Sequence, residues 1–127
     1  MKFSFDPEDG LIVVLVRLWG PGGDLGVPLA LDTGATFSMV GSGIMRLLGF
    51  EPQRAAEHVR IVTASSVELV PRIATAKPEA LGRACANFPV LCHTLPPTAT
   101  VDGVLGLDFF RGLQLTIDFR SGVLAVE

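Results

Sequence analysis

Short apolar segments separated by turns run along the whole chain of 127 residues. Val, Ile, Leu and Thr dominate these segments, and the 14 Gly and 9 Pro break them before a helical period can develop. Strands are predicted at residues 11–19, 27–31, 37–40, 59–63, 67–76, 88–93, 113–119 and 123–126. This pattern is typical of an all-β domain built from hairpins.

Two short helical segments are expected between the strands. Ser42 is predicted to cap the first helix, which should end at Gly49 because glycine readily adopts the conformation that closes a helix. The buried face of this helix is predicted to hold Ile44, Leu47 and Leu48. A second helical turn is predicted at residues 108–111, ended by Gly112.

The composition favours one domain, residues 1–127, that associates with a second copy of itself. Hydrophobic residues make up 49% of the chain and its mean hydropathy is +0.50, which is more apolar surface than a small core hides. The longest apolar run, residues 11–16, ends at Arg17 and is too short to cross a bilayer, so no membrane partner is expected. Residues 123–126 are predicted to form an exposed sheet edge through which a homodimer forms.

The charge pattern excludes other partners. A formal charge of -3, with no basic stripe, gives no surface for nucleic acid. Residues 1–9 become acidic where a signal peptide would need an apolar segment, so a cytoplasmic location is expected. Cys85 and Cys92 lie in apolar surroundings without ligands at metal spacing, so reduced thiols are expected, with neither metal nor cofactor.

The most informative residue is Asp32, which ends a predicted strand and enters a glycine-containing turn. Such a carboxylate is costly to bury unless the N–H groups and hydroxyls of the turn point at it. Taken alone, Asp32-Thr33-Gly34 also fits an aspartate whose only role is to stabilise its own turn. In its apolar context, however, Asp32-Thr33-Gly34-Ala35-Thr36 resembles the catalytic loop of the retropepsin-like aspartic proteases, the family of retroviral proteases and their cellular relatives.

A second motif extends the resemblance. In this family two hydrophobic residues and a glycine, followed by a short helix, pack behind the catalytic loop. Val104-Leu105-Gly106 is similar to that motif and lies downstream of the first.

The segment between the two motifs and the end of the chain also resemble the family. The polar tip Ala64-Ser65-Ser66, between two predicted strands, occupies the place of the flap hairpin. Residues 115–119 are similar to the closing hairpin in the protease domain of the DNA-damage-inducible ubiquitin-shuttle proteins. The resemblance covers residues 11–126 and implies an acid-protease barrel with a flap and one or two short helices.

The resemblance implies an aspartic endopeptidase that works as a homodimer. Two Asp32 carboxylates would activate a water to hydrolyse a peptide bond in an extended peptide or protein substrate, with no cofactor or metal. Thr33 would bond across the dimer, and Gly34 would leave its backbone open to the substrate. Ala35 stands where many pepsin-like enzymes carry a serine.

The sequence also departs from the family pattern. Retroviral proteases brace their dimer with acidic residues after the catalytic loop and an arginine after the second motif. Thr36, Phe37 and Leu107 occupy those places here, and the flap tip lacks glycine. The alternative function is therefore a catalytically silent module for dimerisation or peptide binding.

Other chemically capable residues have structural interpretations. Asp108 is predicted to cap or anchor the second helix, and Asp118 to point outward from an edge strand. Asp102 is predicted to start a turn, although it has some claim as a second carboxylate within one chain. Cys92 and His93 are adjacent on a strand and should face opposite ways, so a catalytic pair is not expected.

Overall fold

The computed structural model describes residues 1–62 and 64–127, and Thr63, the last residue of the predicted strand 59–63, lies outside the described residues. The described part is mostly strand, which confirms the all-β prediction. The strands are β1 Lys2–Ser4, β2 Val13–Gly20, β3 Gly23–Leu31, β4 Met39–Gly41, β5 Glu57–Val62, β6 Val67–Thr75, β7 Glu79–Ala80, β8 Arg83–Ala84, β9 Phe88–His93, β10 Gly103–Leu105, β11 Leu115–Asp118 and β12 Val123–Val126. The helical elements are α1 Ser42–Leu47, a 3-10 turn at Pro52–Arg54, and α2 Leu107–Phe110.

The strands of the described chain form two sheets. The larger sheet has nine strands in the order β5-β6-β9-β4-β10-β3-β2-β7-β8, and the smaller has three in the order β1-β12-β11. Strand β10 lies between β3 and β4, parallel to β3 and antiparallel to β4. A segment from late in the chain is thereby inserted between two consecutive earlier strands, and this crossing supports the loop that follows β3.

The hairpin of β2 and β3 shows the period-2 pattern that the sequence predicts. Val14, Val16 and Leu18 are buried, whereas the residues between them face outward. Strand β3 begins at Gly23, four residues earlier than the prediction at residue 27, because it pairs with β2 back to the turn, where Gly20 lies opposite Gly23. Tertiary pairing here overrides the low strand propensity of glycine and aspartate.

One hydrophobic core joins both sheets and both helices. Phe109 of α2 is 2% exposed and makes edge-to-face contacts with Phe88 and Phe110, at ring-centroid distances of 5.9 and 5.3 Å. Leu105 of β10 and Leu124 of β12 belong to the same cluster. The helix that follows the second motif is therefore anchored in the core.

Helix α1 forms where the sequence predicts it, but its predicted buried face is only partly right. Leu48 is 1% exposed and Ile44 packs half-buried against the core, as predicted, whereas Leu47 is 71% exposed and Met45 is fully buried in its place. The buried side of the helix therefore includes Met45 and Leu48, and Leu47 faces solvent. Gly41 occupies the N-cap position without a side-chain hydrogen bond, so Ser42 is the first helical residue and not the cap.

The prediction that residues 123–126 form an exposed sheet edge is also wrong. Strand β1 pairs with β12 on one side, with Phe3 opposite Leu124, and β11 pairs with it on the other. The sequence did not reveal β1, because three residues are too few to show a strand period. The edges of this sheet are β1 and β11.

Several other boundaries differ from the predicted ones. Strand β9 has the predicted bounds, whereas β4 begins two residues later than predicted and β11 spans four residues of the predicted segment 113–119. Strands β7, β8 and β10 were missed for the same reason as β1. Within residues 1–62 and 64–127, no helix is long and apolar enough to cross a membrane, and no three His, Cys, Asp or Glu side chains are grouped as a metal site would require.

Candidate active site

Asp32 lies at the end of β3, in a loop whose backbone is fixed by neighbouring elements. Its N–H donates to the carbonyl of Leu105 on β10 at 2.9 Å, and the N–H of Leu31 donates to the carbonyl of Ile12 at 2.8 Å. The Gly34 N–H donates to Asp32 Oδ1 at 2.9 Å, so the carboxylate ties its own turn. Asp32 is nevertheless exposed.

The structure brings the two sequence motifs into direct contact. Val104 pairs with Ala30 and Leu105 with Leu31, which places Gly106 beside the loop after β3. The Leu107 N–H donates to the carbonyl of Ala35 at 2.8 Å.

Only glycine fits at position 106. A Cβ atom there would lie 2.7 Å from the carbonyl oxygen of Ala35 and 2.9 Å from the carbonyl carbon of Phe37. The close approach of Gly106 therefore holds the loop from behind.

A buried hydroxyl, Ser38, links this loop to α2. Ser38 is 1% exposed, and its Oγ donates to Asp108 Oδ1 at 2.7 Å while accepting the Gly106 N–H at 2.9 Å. The Ser38 N–H also donates to both oxygens of Asp108, at 3.0 and 2.9 Å. Asp108 was predicted to cap or anchor its helix; it makes no cap, but it anchors the helix by joining it to Ser38, just after the loop of Asp32. Sequence reasoning missed Ser38, since nothing in the sequence marks which hydroxyl is buried.

Removing the Ser38 hydroxyl should destabilise the fold. In Ser38→Ala the buried N–H of Gly106 loses its acceptor and Asp108 loses one donor, so we expect a loss of about 2 kcal/mol in unfolding free energy. Urea unfolding measures this directly. The exposed Ser4 provides the control, and an equal effect of Ser38→Ala and Ser4→Ala would contradict the role given to Ser38.

The residues after the turn form a mixed surface. Thr33 and Thr36 are exposed and Ala35 is half-buried. Phe37 is 36% exposed, and the guanidinium of Arg72 on β6 lies 5.4 Å from its ring centroid. Where retroviral proteases have an ionic brace, this chain has an aromatic ring in contact with a cation from the hairpin of β5 and β6.

That hairpin is where the sequence predicted the flap. Val62 pairs with Val67 across its end, and the tip residues Ala64, Ser65 and Ser66 are exposed. Its side chains give an apolar surface: Val62 is 71% exposed, Val67 59% and Leu69 70%. Exposed apolar side chains grouped in this way are typical of a binding surface.

An ion pair connects the hairpin, near its tip, to strand β9 of the sheet. His93 Nε2 on β9 lies 2.8 Å from Glu68 Oε2 on β6, and His93 Nδ1 lies 2.8 Å from the carbonyl of Thr94. The pKa of His93 is raised above its ordinary value of 6.5, mainly by the hydrogen bond with Glu68 and to a smaller extent by that with Thr94. Arg46 of α1 lines the same surface pocket as Glu68 and His93.

Cys92, adjacent to His93, is buried, and burial raises its pKa to about 11, so it is not a reactive thiolate.

This ion pair should make stability depend on pH. Because the pKa of His93 is raised in the folded state, the pair stabilises fully below about pH 6.5, the unfolded value, and this contribution is lost as the pH rises through the folded pKa. As the pH is raised from about 5.5 to about 8.5, the unfolding free energy should therefore fall more in the parent than in Glu68→Gln. Equal losses in the two proteins would show that the pair contributes nothing.

Asp102 and Asp118, the two remaining aspartates considered from the sequence, make structural contacts. The backbone of Asp102 accepts the Gly41 N–H and donates to the Pro28 carbonyl, both at 2.8 Å. Asp118 is exposed as predicted, and hydrogen bonds from the hydroxyl and then the N–H of Ser121 lower its pKa.

Comparison with known proteins agrees with this architecture. The sequence profile of the family described as aspartyl protease matches residues 20–109, which include the loop of Asp32 and the motif of Gly106. The crystal structure of a retropepsin-like aspartic protease from Rickettsia conorii superposes with a TM-score of 0.74 at 16% sequence identity, covering 99% of this chain and 88% of that one. No sequence among the curated proteins matches. The chain therefore belongs to the aspartyl protease family and has the retropepsin-like fold.

Proposed function

We propose that the chain is an aspartic endopeptidase that acts as a homodimer, with one Asp32 from each copy. The observation that supports this most strongly is the placement of Asp32: its carboxylate is exposed, while its backbone is held by β10 and its turn by Gly34. A catalytic group must be accessible and yet rigidly positioned, and Asp32 meets both requirements.

Two carboxylates brought close together can perform the chemistry without a covalent intermediate. Like charges at short distance do not both ionise, so the pair of Asp32 side chains would share one proton and titrate as a unit. The ionised carboxylate takes a proton from a water as the water attacks the scissile carbonyl. The protonated partner donates a hydrogen bond to the developing oxyanion.

The sequence supports the proposal of two copies. Residues 1–127 hold a single Asp-Thr-Gly motif, and a second copy of the chain is proposed to supply the second carboxylate in the same setting. A two-fold axis through the exposed loop would bring two such motifs together. Thr33, exposed beside Asp32, is proposed to bond across this axis.

The substrate is proposed to be an extended, largely apolar segment of a peptide or protein. It would lie as an added strand between the loop of Asp32 and the flap hairpin, recognised mainly through backbone hydrogen bonds. The exposed apolar side chains of the hairpin, Val62, Val67 and Leu69, are suited to contact its side chains.

Incubation with a library of unstructured peptides, followed by mass spectrometry, tests the proposal. We expect cleavage within apolar segments, at internal bonds. If peptides bind but none is cleaved at any pH between about 3 and 8, a range that covers the titration of a carboxylate pair, the endopeptidase proposal fails.

That outcome would favour the second candidate, a silent module for dimerisation or peptide binding. The feature that supports this alternative is the absence of an ionic brace at Thr36, Phe37 and Leu107. Binding without cleavage distinguishes the two functions.

A further inference from the structure

The described chain has a groove on the outer side of the β2–β3 hairpin, here called the β2–β7 groove. Its volume is about 470 Å³, and its lining includes Leu15, Arg17, Gly26, Glu79, Gly82 and Arg83. Strand β7 meets β2 only at Arg17, which lies opposite Glu79, so the groove opens beside the remainder of β2. None of these residues belongs to the loop of Asp32 or to the flap.

Arg83 gives the groove an unmet hydrogen-bonding requirement. Its Nε atom is buried and has no hydrogen-bond partner within residues 1–62 and 64–127. Leaving a buried charged donor unsatisfied costs free energy, whereas a ligand that accepts the hydrogen bond recovers it. The planar guanidinium matches a carboxylate, which can accept two parallel hydrogen bonds.

The neighbouring charges restrict the ligand further. Arg17 is already paired, with its Nη1 2.6 Å from Asp24 Oδ2, so among the described residues Arg83 is the cation of the groove without an ion pair. Glu79 also lines the groove and makes no ion pair in the described part of the chain. Its carboxylate repels a multiply charged anion, which favours a ligand with a single negative charge.

One side of the groove is apolar. Leu15 is 68% exposed, and Val13, on the same face two residues earlier, is 42% exposed. The side chains of Arg17 and Leu15 lie close to Gly26: a Cβ atom there would lie 3.5 Å from Arg17 Nη2 and 3.7 Å from Leu15 Cδ1. An apolar chain can therefore lie against β2 with its charged group at Arg83.

We propose that the β2–β7 groove binds an apolar peptide segment that presents one carboxylate to Arg83. The carboxylate can be the C-terminus of the peptide or the side chain of an acidic residue, because both offer the same two oxygens. This site does not rest on the proposed protease function.

The test is a titration of short peptides into the Asp32→Asn variant of the whole chain, monitored through the chemical shifts of its backbone amides. This variant is used because it is expected to leave the probes uncleaved. The probes are acetyl-Val-Leu-Val with a free C-terminal carboxylate, the same peptide as its amide, acetyl-Val-Glu-Val amide, and inorganic phosphate. We expect the free acid, the glutamyl peptide or both to bind at least about tenfold more tightly than the neutral amide, as one charge-assisted hydrogen bond implies. The largest shifts should occur at Gly26, Gly82 and Ala84.

Two arginine variants complete the test. Arg83→Gln should weaken binding of the carboxylate peptides about tenfold, whereas Arg120→Gln, at an exposed position, should leave it unchanged. The proposal is overturned if neither carboxylate peptide binds more tightly than the amide, if phosphate binds as tightly as the peptides, or if the shifts centre on Gly34. The comparison of the two carboxylate peptides with the amide decides the question even if Arg83→Gln fails to fold.

Discussion

Replacing Asp32 with Asn should lower peptide hydrolysis by at least about a thousandfold, because an amide of nearly the same shape cannot serve as a general base. The fold should survive, since Asp32 is exposed and an Asn side-chain oxygen can still accept the Gly34 N–H. Initial rates on a peptide found by library screening, with thermal unfolding of the same samples, measure both effects.

The matched control is Asp102→Asn. Asp102 is the other carboxylate that could act within one chain, yet the contacts described for it are made by its backbone, so this variant should keep the parental rate. If Asp102→Asn were inactive and Asp32→Asn active, the assignment of the site would be wrong.

Gly103→Ala should be the most destabilising single methyl addition in the neighbourhood of the site. Gly103 has φ +154°, and a Cβ atom there would lie 1.9 Å from the carbonyl oxygen of Met39. Backbone strain and the forced separation of β10 from β4 together should cost about 3 kcal/mol or more of unfolding free energy. This is a large fraction of the stability of a typical domain, so the midpoint of urea unfolding should fall markedly.

Gly43→Ala provides the comparison. Gly43 lies within α1, and a Cβ atom there meets no atom within 4 Å, so alanine should raise the unfolding free energy by up to about 1 kcal/mol. Urea unfolding of both variants tests the close packing of β10 against β4. Equal and small effects at the two positions would contradict it.

The sequence was sufficient for the fold class, and it singled out Asp32-Thr33-Gly34, whose catalytic role stays a prediction. Taken alone, a strand-ending aspartate that hydrogen-bonds within its own turn is common, so it was the apolar context and the family resemblance that distinguished this motif. The contact between this loop and Gly106 could be expected only from the family resemblance, because local sequence does not encode which distant strand inserts beside β3.

The features that escaped prediction depend on tertiary contacts. Ser38 and Asp108 lie 70 residues apart, and only folding shows that one is buried against the other. Strand β10 has three residues and takes its conformation from β3 and β4 on either side. The buried face of α1 was predicted only in part for a related reason. Ile44, Met45, Leu47 and Leu48 allow more than one apolar stripe, and packing buries Met45 and exposes Leu47.

The central claim, that one active unit contains Asp32 from two chains, is tested most directly by mixing parent with Asp32→Asn at constant total concentration, after full exchange of subunits. If both carboxylates are needed, activity should follow the square of the parental fraction and fall to about a quarter in an equal mixture, because only dimers of two parental chains are active. Activity that falls in direct proportion to the parental fraction, to about half in the equal mixture, would show that one chain suffices and would contradict the shared site.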